Sequence, residues 1–267
     1  MSGYIGKSIR LERIFNRETN RTIIVPMDHG LTLGPIKGIE GNLGEVVNKI
    51  ALGGANAVLG HVGIPLYGHR GYGPDIGLIL HLSGSTSLSP EANYKVLVND
   101  VLEAVKLGAD GVSLHINIGT KADPEMLEIL GNISRECREF GMPLLAMMYP
   151  RGENIENEYD VQVVKIAARV AAELGADIVK TNWTGDPDSF KEVVAGCMAP
   201  VIIAGGVKAS VRELLEVTKQ SIEVGGAGVA YGRNVFQAED PTKVVKALYL
   251  VVHKNYEVIE AMKEVRI

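Results

Sequence analysis

The chain has 267 residues, 46% of them hydrophobic and 22% charged, with a net charge of −5 and a pI of about 5.7. That is a globular composition with ample core, and the lack of any basic stretch argues against a nucleic-acid partner. No apolar run reaches the ~18 residues of a membrane span, the first twenty residues hold no signal-peptide core, and Cys137 and Cys197 show neither metal-type spacing nor a disulfide framework. The expected compartment is the cytoplasm, with no membrane partner.

In chain order, apolar and β-branched runs predict eight strands, over 22–27, 57–61, 77–82, 111–116, 142–148, 177–181, 200–204 and 228–231. Amphipathic spacing predicts helices over 43–52, 93–107, 124–139, 160–174, 187–195, 210–224 and 241–253. Asp123-Pro124, Asp186-Pro187 and Asp240-Pro241 each place an N-cap residue before a proline suited to the first helical turn. The segment 62–76, with Pro65, Gly68, Gly71, Gly73 and Pro74, has room for a short helix at most.

One pattern recurs: Gly54-Ala55-Asn56, Gly108-Ala109-Asp110, Gly175-Ala176-Asp177 and Gly226-Ala227-Gly228. Each follows a helical stretch and opens a strand. Glycine there suits the left-handed position that ends a helix. Alternating strands and helices mean a parallel sheet, and eight units with an internal repeat close into a TIM (β/α)8 barrel. Residues 1–267 read as a single barrel domain. Within it, Ile5, Ile9, Leu11, Ile14 and Phe15 make 1–20 an N-terminal segment that caps the barrel.

In such barrels the chemistry sits where strands end. The first strand ends at Asp28, the fifth at Tyr149-Pro150-Arg151 and the sixth at Lys180. A lysine that follows Ile178-Val179 directly starts inside an apolar wall, where desolvation lowers its pKa and frees an amine to attack a carbonyl. Asp28 suits holding or moving a proton, or capping a helix. Tyr149 suits proton transfer, or filling a strand end. Gly205, Gly206 and Gly232, with Lys208 and Arg233 beside them, read as an anion site after the last two strands, with a short helix starting near Asn234. Arg151 suits a phosphate, or an ion pair with Glu153. Trp183 is expected to cover one side of the Lys180 pocket. His61, His81 and His115 end strands with little carboxylate beside them, so no metal is expected.

Five stretches carry a resemblance: Pro26-Met27-Asp28-His29-Gly30, His69-Arg70-Gly71-Tyr72-Gly73, Met147-Met148-Tyr149-Pro150-Arg151-Gly152, Ile178-Val179-Lys180-Thr181 and Gly232-Arg233-Asn234-Val235-Phe236-Gln237. In this order they resemble the archaeal-type class I aldolase family, and most of all its branch of 2-amino-3,7-dideoxy-D-threo-hept-6-ulosonate synthases. The resemblance implies a Schiff-base lysine, here Lys180, a tyrosine acid/base, here Tyr149, and an aspartate, here Asp28. It also implies a sugar phosphate held by the last two loops, an aldehyde acceptor, no cofactor, and a ring-based homo-oligomer, often a decamer. The implied reaction transfers a fragment of 6-deoxy-5-ketofructose 1-phosphate to L-aspartate 4-semialdehyde, on the route to 3-dehydroquinate and aromatic amino acids. The fructose-bisphosphate aldolases of the family carry a tryptophan where this chain has Met147, so a class I fructose-1,6-bisphosphate aldolase is the second reading. A non-catalytic sugar-phosphate-binding protein, needing neither Lys180 nor Tyr149, is the third. The chain departs from the family pattern at Trp183, where a tyrosine is expected, and at Val207, where a proline is expected.

Overall fold

The structure is a computed structural model that describes residues 2–267; of the expected capping segment, Met1 lies outside them. Helix α1 (Ser2–Ile14) precedes strand β1 (Thr22–Pro26). Helices α2 (His29–Leu33) and α3 (Leu43–Gly53) lead to β2 (Ala57–Gly60), then α4 (Gly63–Gly68) to β3 (Gly77–His81). A small hairpin, β4 (Ser83–Gly84) with β5 (Val96–Leu97), is followed by α5 (Val101–Lys106) and β6 (Gly111–Ile118). Regular alternation resumes with α6 (Asp123–Phe140), β7 (Leu144–Pro150), α7 (Val161–Glu173), β8 (Ile178–Thr181), α8 (Pro187–Gly196), β9 (Val201–Ala204), α9 (Val211–Glu223) and β10 (Gly228–Ala230). Helices α10 (Arg233–Phe236), α11 (Pro241–Lys254) and α12 (Val258–Val265) finish the chain. Eight parallel strands close in the order β1-β2-β3-β6-β7-β8-β9-β10, with β10 paired back to β1. Each of the eight predicted strands is present, and no helix among the described residues is long and apolar enough to cross a membrane.

Strand parity sorts the side chains. Ile24, Ala57, Leu59, Ile79, Leu145, Met147, Tyr149, Ile178, Ile202 and Ala230 pack together inside the barrel. Their neighbours Val25, Val58, Leu80, Met148, Val179, Ile203 and Val229 pack outward against the helices. Both sides are buried, so the strands read as unbroken apolar runs rather than alternating ones. Toward the C-terminal mouth the interior column turns polar, as at Lys180, two residues beyond Ile178.

Two local expectations are corrected. The helix predicted over 93–107 is confined to Val101–Lys106, because Val98 N–H donates to Leu82 O and pulls the preceding residues into the hairpin. Asp100 then caps the helix by accepting from Glu103 N–H. Asp123 is not the cap of α6: it lies inside the first turn, Ala122 holds the cap position, and the Asp123 carboxylate accepts from Gly119 N–H. Asp186 and Asp240 do cap α8 and α11. Helix α12 was not predicted from the sequence.

The fourth repeat is shifted by one residue. Gly54, Gly108 and Gly175 take positive φ, and in the last copy that role falls to Gly225. Gly226 stands where the other copies have alanine: its N–H donates to Ser221 O as Ala55 N–H donates to Ile50 O. A Cβ on Gly226 would come within 2.7 Å of the Ser221 backbone oxygen, so glycine fits there without a shift of the helix end.

The third residue of the repeat has a use that its spacing alone does not reveal. Asn56 Oδ1 accepts from Ile23 N–H at 2.8 Å, Asp110 Oδ2 from Leu78 N–H at 3.0 Å, and Asp177 Oδ2 from Leu144 N–H at 2.9 Å. Each latches the start of a neighbouring strand at the N-terminal mouth. Helix α1 grips two of these latches, through Arg13 Nε to Asp110 at 2.5 Å and Lys7 Nζ to Asp177 at 2.9 Å. Asp110→Ala strips Leu78 N–H of its partner and Arg13 of one of its two carboxylates, Asp75 being the other, which should cost ~1–3 kcal/mol. Asp110→Asn keeps an acceptor and should lose less. Equal denaturant midpoints for Asp110→Ala and the parent would show that the latch contributes nothing.

Candidate active site

The barrel opens at the C-terminal ends of its strands into a cavity of about 460 Å³. The parity that fills the interior also delivers its polar lining. On β7 the inward series Leu145, Met147 ends in Tyr149, and on β8 Ile178 is followed by Lys180. Met147 and Lys180 are register partners on adjacent strands. Lys180 is 7% exposed, and its Nζ approaches Met147 Sδ at 3.8 Å. Its ammonium therefore stands against an apolar wall with a polar cavity in front.

Asp28 follows β1 and occupies the cap position of α2, yet its side chain makes no capping bond. It turns to the cavity, with Oδ1 at 3.6 Å from His29 Nδ1. Burial raises the Asp28 carboxyl pKa, but the positive charges of His81, His29, Lys180 and His61 outweigh it and draw the value down to about 2. The group is a carboxylate at neutral pH.

Tyr149 carries neighbours on both sides. The His115 ring meets it edge-on at 4.9 Å, and the Arg151 guanidinium lies 4.6 Å from its ring centre. Burial holds His115 well below the usual imidazole range, helped by the charges of Lys95 and Arg151, so the ring beside the phenol is neutral. Arg151 does not pair with Glu153, which meets Lys121 instead; it donates to Glu158 at 2.9 Å.

Gly205, Gly206, Gly232 and Arg233 all line the cavity, as the sequence led us to expect. Gly206 has a φ of 56°, open to glycine at little strain. A Cβ on Gly232 would meet His29 Cε1 at 2.5 Å and Pro26 O at 2.7 Å, so only glycine lets these two loops approach. Asn234 sews the loops after β9 and β10 together: Nδ2 donates to Gly205 O at 2.9 Å and Val207 O at 3.1 Å, and Oδ1 accepts from Ala209 N–H. The expected short helix begins at Arg233. Lys208 is exposed and outside the cavity lining.

The remaining histidines pair off. His81 Nδ1 lies 2.8 Å from Ser113 Oγ, His61 stacks edge-on against His81 at 5.0 Å, and His115 Nε2 meets Asn117 Oδ1 at 2.9 Å. Burial lowers the His81 pKa to about 4 despite the attraction of Asp28. Trp183 does not cover Lys180: it tilts against Phe190 at 5.0 Å, on the helix side of the barrel wall. Among the cavity residues that escaped the sequence reading are Lys95, Glu158 and Asn182. All three belong to loops, outside the strands.

Known proteins resemble this chain in sequence and fold. The profile of the DeoC/LacD family aldolases matches residues 22–238. The 2-amino-3,7-dideoxy-D-threo-hept-6-ulosonate synthase 1 of Archaeoglobus fulgidus is 45% identical over 259 residues, spanning 97% of this chain and 95% of its own. The 2-amino-4,5-dihydroxy-6-oxo-7-(phosphonooxy)heptanoate synthase of Streptomyces griseus is 36% identical over 250 residues, covering 93% and 91%. Among solved structures, an archaeal fructose-1,6-bisphosphate aldolase with its catalytic lysine covalently bound to the carbinolamine intermediate superposes with a TM-score of 0.85. It is 33% identical, over 92% of this chain and 99% of that one. Since the matched profile runs from the first barrel strand past the last, the chain belongs to the DeoC/LacD family of aldolases.

Proposed function

We propose that the chain is a Schiff-base transferase of the transaldolase type that makes 2-amino-3,7-dideoxy-D-threo-hept-6-ulosonate. The donor is 6-deoxy-5-ketofructose 1-phosphate and the acceptor is L-aspartate 4-semialdehyde. The observation that carries this reading is Lys180, buried on the inner wall of β8 and open to a cavity that also presents Asp28 and Tyr149. Lys180 attacks the donor ketone and, with loss of water, becomes an iminium. The iminium is the electron sink for carbon–carbon cleavage, so the step requires neither metal nor organic cofactor. Tyr149 and Asp28 move protons as the phosphate-bearing three-carbon fragment, hydroxypyruvaldehyde phosphate, departs. The enamine left on Lys180 adds to the acceptor aldehyde, and hydrolysis releases product. Gly205, Gly206, Gly232 and Arg233 hold the donor phosphate, and Lys208 adds charge from the rim of the same loop.

The two synthases similar to this chain support that choice through their products. Both names describe seven-carbon acids with an amino group on C2 and an oxo group on C6; the 7-carbon is deoxy in one and phosphorylated in the other. The shared part is an amino-acid head, which an acceptor such as aspartate semialdehyde brings and fructose bisphosphate lacks. Met147, standing where the resemblance gives the bisphosphate aldolases a tryptophan, points the same way. Purified protein supplied with the keto-sugar phosphate and L-aspartate 4-semialdehyde should form the amino-heptulosonate. It should turn over fructose 1,6-bisphosphate at least tenfold less well by kcat/KM. The reverse preference would make it a fructose-bisphosphate aldolase, and turnover of neither sugar would return it to the binding-protein reading.

We read residues 1–267 as one barrel domain capped by 1–20, working in the cytoplasm on the strength of its metabolic chemistry. Exposed Tyr4, Ile5 and Ile9 on α1, with Leu66 and Tyr67 on α4, support association of copies of the chain into a homo-oligomer.

A further inference from the structure

One end of the cavity has no role in the donor half of the reaction. Beyond Tyr149 the lining presents Lys95, Arg151 and Glu158. Apart from Asp28, Glu158 is the only carboxylate among the described lining residues. Its Oε2 accepts from Arg151 Nε at 2.9 Å, and its backbone carbonyl accepts from Asn182 Nδ2 at 3.0 Å. Asn182 is buried and lies two residues past Lys180, so the acid is tied to the strand that carries the nucleophile.

Lys95 is 8% exposed, which is costly for an ammonium. Its Nζ donates to Ser85 Oγ and to Ala92 O at 2.8 Å, both neutral acceptors. An ammonium has three N–H groups, so one is left without a protein partner among the described residues. Burial lowers the Lys95 pKa, and the nearby charge of Arg151 lowers it further. Two cations thus share this end with one carboxylate, and that carboxylate bonds only to Arg151 and Asn182.

A ligand that suits this arrangement brings a carboxylate for the cations and a cation for Glu158, close together on one carbon. We propose that Lys95, Arg151 and Glu158 form a subsite for the head group of an α-amino acid, Lys95 and Arg151 holding its carboxylate and Glu158 its ammonium. The proposal rests on the function proposed above, whose acceptor carries both groups, and adds where that acceptor is held. It also gives the subsite a selective character. A second sugar phosphate would meet the same cations but would bring only negative charge against Glu158.

Binding can be read without turnover, using L-homoserine as an unreactive four-carbon amino acid and 4-hydroxybutyrate as its counterpart lacking the amine. Calorimetry on the parent protein should show L-homoserine binding ~10–100-fold more tightly, the range set by one charge-assisted contact. Glu158→Gln should bring the two ligands to within about threefold of each other, and Lys95→Met should weaken both. In turnover, Glu158→Gln should raise the KM for L-aspartate 4-semialdehyde ~10–100-fold while changing that for succinate semialdehyde little. Parent protein that binds the two test ligands equally would overturn the subsite without recourse to any variant. So would a folded Glu158→Gln protein that keeps the parent's preference. If L-homoserine binds selectively but aspartate semialdehyde is never used, the subsite stands and the proposed reaction falls.

Discussion

Borohydride added with a keto-sugar phosphate should label Lys180 and no other lysine. Two other amines compete. Lys208 follows the glycine loop after β9 but is exposed and does not line the cavity. Lys95 does line it and is as buried as Lys180. The difference lies in what holds each nitrogen. The Lys95 ammonium is engaged by Ser85 and Ala92, whereas the one hydrogen-bonding contact of Lys180 Nζ among the described residues is the soft sulfur of Met147. A Schiff base needs a nitrogen free to move onto the substrate carbonyl, and Lys180 has no oxygen partner among the described residues to give up. Lys180→Met should therefore abolish both trapping and turnover, a loss of at least ~10⁴-fold for removal of a covalent nucleophile. Lys208→Met should still trap substrate at Lys180. Peptide mapping that finds the label on Lys95 or Lys208 would reassign the nucleophile.

Tyr149→Phe should fold as the parent does and lose ~10²–10⁴-fold in kcat, the usual worth of a positioned acid/base. The ring contacts survive the change: phenylalanine still offers an edge to His115 and a face to Arg151. What goes is one hydroxyl at the mouth of the cavity. Iminium trapping should persist, because Asp28 remains as a carboxylate in the same cavity. The loss should then appear in cleavage and transfer rather than in labelling. A mutant with parental turnover would leave Tyr149 as a wall residue.

How much of this was written in the sequence depends on whether a residue belongs to a strand or a loop. Ile178-Val179-Lys180 can be read directly, since a period of two carries the interior position of Ile178 to Lys180. The same rule reaches Tyr149 from Leu145 and Met147. Glu158 has no such rule, because the chain between β7 and α7 follows its own turns; the period of two does reach Asn182, but one step past the predicted end of the strand. Lys95 was hidden by a helical pattern over 93–107 that its surroundings override. The start signal was present in Asp100 and Glu103, three apart as at many helix starts, and would have freed Lys95 from the helix. Gly225-Gly226 is ambiguous for a plainer reason: either glycine can adopt the left-handed turn, and only the hydrogen bond from Gly226 to Ser221 decides. Trp183 misled because proximity in sequence to Lys180 says nothing about which side of the wall a side chain takes.

The latches at the N-terminal mouth set an order on events during synthesis. Lys7 and Asp177 lie 170 residues apart. At ~5–20 residues per second, the acid emerges on the order of ten to thirty seconds after the lysine. Arg13 meets Asp110 sooner, so α1 acquires its anchors one after the other as translation proceeds. Until then Leu11, Ile14 and Phe15, which pack against the barrel interior in the finished fold, have no barrel to pack against. The apolar face of the nascent helix thus waits uncovered, and its second anchor arrives only with Asp177, just before β8. A different closure waits for a later stretch, since Gly228 on β10 must arrive before Thr22 can complete the ring.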